Sequence, residues 1–342
     1  MRAGRLAESG VNTHNQCMGN IVDEQPRNLL GSERADRAAE LRHRLYQELS
    51  ATSLYWSGNG AHQDAVANRP LSLVADKALV DQAWFRGLPT HEKETVRGAA
   101  AGLATRKAVL VGRWAAAQHG MWTPTPGGGP VDLVLPSGSV PPKSKWPQLT
   151  RYHQFPIKDD DIVELDGVRT TTPLRTSIDL RRLEGRVGGF LAVTALLNSG
   201  IPLKEIVAYN QSFEDPLPRN HHRPVSADWD PPRFSDFGTC LAYAWIAEDG
   251  MWVRGNVDLG EGWTAPIVVD SRLIVLIDDD PLRIPASNWT TAPIPSPQEP
   301  HLCATARGYR IIFFTTDQVT RSKAGFIRRI RSEKLKYGGG TP

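Results

Sequence analysis

Residues 271–281 read SRLIVLIDDDP. The apolar run from Leu273 to Ile277 predicts a short strand buried on both faces, and it ends abruptly in Asp278, Asp279 and Asp280. Acids at the end of a buried strand can hold a metal ion, and the same three aspartates can simply solvate a turn before Pro281. Both readings are open at this point. Around the strand the pattern predicts a helix over Gly238–Ala247, strands over Trp252–Leu259 and Ala265–Val269, and a helix over His301–Arg307. A second buried strand follows over Tyr309–Thr315, then a basic helix over Ser322–Leu335. These elements make an α/β sandwich of about a hundred residues.

Length and composition set the frame. The chain has 342 residues, enough for two domains of roughly 100–200 residues each. Lys and Arg total 40 against 37 for Asp and Glu, so the net charge of +3 does not by itself imply a nucleic-acid partner. Cys17, Cys240 and Cys303 are too few and too far apart for a disulfide framework or a paired zinc site. No apolar run approaches a membrane span, and the opening MRAGRLAESGVNTHNQ lacks the apolar core of a signal peptide. A cytoplasmic protein without a membrane partner is expected.

Upstream, residues 1–31 are polar and aperiodic, which predicts a flexible arm. Ser32–Leu49 reads as an amphipathic helix whose other face, with Arg34, Arg37, Arg42, His43 and Arg44, is expected to be solvated. A weaker helical pattern covers Leu71–Phe85. The alanine-rich stretch from Glu92 to Gly120 predicts two closely packed helices with a turn at Thr105 and Arg106, and His119 is placed to cap the second. Val131–Leu135 and Arg151–Phe155 read as strands. Gly127–Gly129 lacks the Lys-Ser/Thr pair of a phosphate loop. Asp159–Asp161 reads as a loop, and Asp166-Gly167 marks a hairpin between Ile162–Leu165 and Val168–Thr171. Thr172 and Pro173 open a helix in which Arg175, Asp179 and Arg182 are spaced for ion pairs, and a further helix spans Phe190–Leu197. The Pro- and charge-rich stretch 214–233 predicts a linker between a helix-rich unit, 32–213, and a second unit, 234–336, with a tail at 337–342. The adjacent His221 and His222 lack the spacing of a helical metal pair.

Several segments carry a resemblance. LIVLID at 273–278, ARGYRIIFFTTDQVT at 306–320 and a helix bearing Ile327 and Ile330 resemble the nuclease-type domain of bacterial proteins related to very-short-patch-repair endonucleases. Those belong to the PD-(D/E)xK superfamily. Upstream, AVLVGRWAAAQHG at 108–120, VDLVLP at 131–136 and GVRTTTPLRTSIDLRR at 167–182 are similar to AbiEi-type antitoxin proteins. The resemblance spans roughly residues 70–332 and implies an α/β (α+β) protein, a helix-rich antitoxin-like unit with short strands ahead of a restriction-endonuclease-like sandwich.

It also implies where carboxylates for a divalent cation belong. The first would follow a glycine at the start of the unit's first helix, where Gly238 is followed by Thr239. The second falls at Ala265, and the third, within the buried strand, at Leu276. A histidine expected just past that strand has no counterpart between Leu282 and Pro300. The resemblance therefore implies a nuclease fold whose catalytic set is lost and which needs no metal. Asp278 matches one acid of the pattern, so a rebuilt Mg-dependent site from Asp278 with Asp279, Asp270 or Asp258 is the alternative. In the terminal helix Arg321, Lys323, Arg328, Arg329, Arg331, Lys334 and Lys336 stand against Glu333 alone, a patch suited to phosphates. The expectation is a non-catalytic binding protein, an antitoxin or regulator, whose partner is DNA or a protein such as a toxin.

Overall fold

The hairpin expected at Asp166-Gly167 is present: strands β6 (Ile162–Leu165) and β7 (Val168–Thr171) pair antiparallel across φ angles of +49° and +77°. Two successive left-handed residues are what a two-residue turn matched to strand twist requires. This hairpin forms one edge of a five-stranded sheet. The computed structural model describes residues 31–56, 70–75, 78–105, 107–124, 128–213, 231–260, 263–270, 272–279 and 308–337. Expectations for the arm before residue 31, most of the 214–233 linker with His221 and His222, the helix at 301–307 and the tail after 337 lie outside the described residues, as do Ser271 and Asp280.

Among the described residues the class is α+β, with helices dominating the first part. Helix α1 (Gly31–Trp56) is followed by strands β1 (Leu71–Ala75) and β2 (Ala78–Asp81), helices α2 (Gln82–Gly87) and α3 (Thr90–Thr105), β3 (Val109–Leu110) and α4 (Gly112–Gln118). Strands β4 (Val131–Val134) and β5 (Thr150–Tyr152) precede the hairpin, and helices α5 (Pro173–Asn198) and α6 (Leu203–Ser212) follow it. The sheet order is β5-β4-β3-β7-β6. Leu110, Val131, Leu133 and Val168 pack from the sheet against Ala99–Ala101 of α3, Trp114 of α4 and Leu41 and Leu45 of α1. The small side chains of α3 permit that close approach.

The second unit begins with α7 (Phe237–Glu248), followed by β8 (Val253–Asp258), β9 (Thr264–Val269) and β10 (Leu273–Ile277). Strand β11 (Arg310–Phe314) and helices α8 (Thr316–Arg321) and α9 (Lys323–Tyr337) complete it. Here the order is β11-β10-β9-β8, with β10 and β11 parallel and the rest antiparallel. Strand β10 has the expected bounds and serves two layers. Leu273 and Val275 join α7 and α9 in one core, while Ile274 and Leu276 face a second apolar cluster.

Three expectations need correction. Leu71–Phe85 is not a helix but the β1–β2 hairpin followed by six-residue α2. In β2 Ala78 and Val80 are buried while Leu79 and Asp81 are half-exposed, so the period is two, and so short an apolar run fits either period until its neighbours decide. The segment after Arg106 gives strand β3 before α4, because Val109 and Leu110 fill the centre of the sheet. The basic face of α1 is not uniformly solvated. Arg42 is buried, donating to Asp166 Oδ2 at 2.7 Å and to the Gln118 carbonyl at 2.9 Å. As expected, the stretch 173–198 holds two helical segments, one before and one after Gly185, whose φ of +75° and ψ of −160° are non-helical.

Candidate functional site

The end of β10 is where the resemblance puts the chemistry, and four elements meet there. Gly238, in the first turn of α7, lies so close that a Cβ on it would stand 2.5 Å from Thr316 Oγ1 and 2.8 Å from Ile277 Cγ2. Thr239 is buried, and its N–H donates to Asp236 Oδ1 at 2.7 Å, so Asp236 is the N-cap of α7. Asp279 accepts from the Thr316 N–H at 2.7 Å and from its hydroxyl at 2.8 Å. The Thr315 and Gln318 capping box closes the same end of α8. Burial pushes the Asp236 carboxyl up, with nearby Asp279 adding to the shift against the Thr239 bonds. The two acids nearest this junction are thus each occupied by the start of a helix.

Ala265 and Leu276 pack in one apolar cluster with Leu259, Val268 and Ile274. Ala265 is fully buried and Leu276 partly so. At both positions the side chains offer a cation no oxygen. Nor do the aspartates of the alternative site converge. Asp258 pairs in register with Thr264 at the start of six-residue β9, and its Oδ1 accepts from the Gly260 N–H at 2.8 Å. Asp270 follows the other end of β9, roughly 20 Å away at a strand's rise per residue, and forms an ion pair with Lys334. Asp278 continues the ladder, its N–H donating to the Phe314 carbonyl at 3.0 Å. Among the described residues no three His, Cys, Asp or Glu side chains are grouped closely enough to hold a metal ion.

The basic patch, which the structure divides between α8 (Arg321) and α9, is largely compensated, in part by acids that lie far away in the sequence. Lys323 pairs with Glu248, and Arg331 binds Asp249 through two 2.9 Å bonds. Lys334 pairs with Asp270, and Lys336 with Glu333 at 2.7 Å. Arg321 meets Asp317 at 2.7 Å, and the Arg329 guanidinium lies over the Phe314 ring. Arg328 is exposed. Counting charge within the helix alone overlooked the two acids that end α7 and the one that ends β9.

A denser polar constellation, which sequence reading took for a loop and a set of ion pairs, lies in the first unit. Arg175, 2% exposed, binds Asp179 through Nε at 3.1 Å and Asp161 through Nη1 at 3.2 Å. The Tyr209 hydroxyl donates to Asp161, and Arg175 stacks 4.5 Å from the Phe213 ring centre. Burial pushes the Asp179 carboxyl up to about 6 against the pull of Arg175 and Arg182. The i, i+4 spacing of Arg175 and Asp179 was the available signal; their burial was not legible. Asp132 of β4 is also buried and accepts from Arg151 Nε at 2.6 Å and His153 Nε2 at 2.7 Å. Burial raises its pKa, but these two partners outweigh that and leave it lowered. His119 ends α4 as expected, yet its ring bonds the Thr171 carbonyl at 2.6 Å across to β7 rather than its own helix, and burial lowers its pKa. Comparison of the chain with protein-family models, with curated proteins and with solved structures finds no match.

Proposed function

We propose that the protein acts by binding rather than by cutting, as an antitoxin-like or regulatory cytoplasmic protein whose second unit is a nuclease-like fold without its metal ligands. One observation carries this reading. Where cation-binding carboxylates are expected, Ala265 and Leu276 share an apolar cluster, Thr239 is buried, and the neighbouring Asp236 and Asp279 serve as helix caps. A divalent cation needs six or more oxygen ligands, several supplied by protein, and such a surround supports no such set. The charge pairing on α9 favours a protein partner over DNA, since phosphates would compete with Glu248, Asp249 and Asp270 for Lys323, Arg331 and Lys334. Trp252 and Leu335 add exposed apolar surface of the kind protein contacts use.

The test has two arms. Purified protein incubated with supercoiled plasmid and Mg²⁺ or Mn²⁺ should leave the plasmid intact; cleavage that disappears in Asp278→Ala would establish the active endonuclease instead. A gel-shift series from low to physiological salt should show no stable complex with duplex DNA. Binding whose affinity falls steeply with salt and weakens in Arg328→Ala would assign DNA as the partner.

A further inference from the structure

A cleft in the first unit, remote in sequence from the nuclease-like elements, holds a guanidinium with no bonding partner among the described residues. It lies between the start of α1, the start of α3 and residues 117–123. Its volume of about 30 Å³ is room for roughly two waters, enough to take the two oxygens of a carboxylate and to admit only a short chain behind them. Arg37 at its wall is fully engaged, bonding Glu92 at 2.8 and 3.0 Å and Glu40 at 3.0 Å. Glu94 accepts from the Thr123 hydroxyl at 3.3 Å. Arg34, half-buried in the same wall, has no hydrogen bond or ion pair among the described residues. Its backbone is fixed by Gly120, where a Cβ would lie 2.6 Å from the Arg34 carbonyl carbon, so α1 starts hard against the turn after α4.

We propose that this cleft binds a small monocarboxylate, with the acid group between the Arg34 guanidinium and the His91 imidazole and the carbon chain against Leu41 and Met121. Leu41 and Met121 are buried and apolar. An anion is called for because a partly desolvated guanidinium without a partner is costly, and a carboxylate matches its paired donors. A single charge is called for because Glu92 and Glu94 also line the cleft, so its two arginines and two glutamates already balance and a dianion would be repelled. The charged groups facing His91 are Arg34 and Arg37 from α1 and Glu92 from its own helix. Burial first, and then Arg34, lower its pKa to about 4, so at neutral pH it offers an uncharged ring N–H, while Arg34, lowered by burial to about 10, keeps its charge.

Acetate and propionate titrated into the full-length protein, with the His91 ring and the Met121 methyl read by NMR, test the assignment. The expected result is a saturable shift of both signals with a Kd on the order of 1 mM, and an upward move of the His91 titration midpoint as a negative charge settles beside it. Inorganic phosphate and chloride at matched ionic strength should give no saturable shift. In Arg34→Met, checked for fold by circular dichroism, the acetate response should be lost; Arg34→Gln is the parallel variant where the methionine form does not fold. No saturable response to either acid, an unchanged response in the folded Arg34 variant, or an equal response to phosphate would each overturn the proposal.

Discussion

In the first unit a guanidinium, two carboxylates and a phenol, Arg175, Asp161, Asp179 and Tyr209, are brought together in the interior, whereas the end of β10 in the second unit has Leu276 and Ala265 where acids are expected. The first arrangement satisfies each charge with a partner at bonding distance. In the second, Ala265 and Leu276 offer no charge to satisfy, and Asp236 and Asp279 beside them are taken up by the starts of helices. The contrast separates two meanings of a polar motif. The TTPLRTSID run, among the most motif-like stretches in the sequence, fixes the seat of α5 on the sheet. The DDD run, which looks like chemistry, includes Asp279 capping α8.

The largest way to break the contrast is Asp179→Ala. It leaves Arg175 buried without its nearest counter-charge, and a loss of about 3–5 kcal/mol in urea-unfolding free energy is expected. Next comes acid. His91 titrates near 6.5 unfolded but near 4 folded, so the unfolded chain binds the extra proton as pH falls between those values, and stability present above 6.5 is lost toward 4. His119 is displaced in the same direction by burial. Among the described residues every histidine is in the first unit, so hydrogen exchange at pH 5 should accelerate in α3 and α4 more than in α7. Leu276→Glu, which puts an acid back into the apolar cluster, should cost about 2 kcal/mol without producing Mg²⁺-dependent plasmid cleavage. Cleavage in that variant would mean that the remaining oxygen ligands are in place after all. The smallest effect is expected from Asp279→Ala, about 1 kcal/mol from the lost bonds at the start of α8, seen as a modest fall in Tm.

Much of the second sheet was legible because Leu273–Ile277 and Ile311–Phe314 are short continuous apolar runs, although β11 proves to be a half-buried edge strand. The Asp166-Gly167 turn was legible because only a few residues tolerate two left-handed positions. Helix α8 was missed although Thr315 and Gln318 carry the capping signature in plain view. The hairpin before α2 was not legible, since four- and five-residue strands at Leu71–Asp81 leave the period undecided. Burial of Arg42, Arg175 and Asp161 was out of reach for a different reason. Each depends on a partner 14 to 124 residues away, and no local spacing records it.

Helix α5 has a consequence for how the molecule comes apart. Beyond its bend at Gly185, Val187 and Leu191 enter the same core as Leu241 of α7 and Val275 of β10, while Leu180 and Leu196 pack with Ala116 and Ile206 of the first unit. The segment after Gly185 is therefore built into both interiors. A protease cut between residues 214 and 230 would sever the covalent chain but leave that segment packed on both sides of the break, so the two fragments should migrate as one species on a sizing column until denaturant strips it from α7.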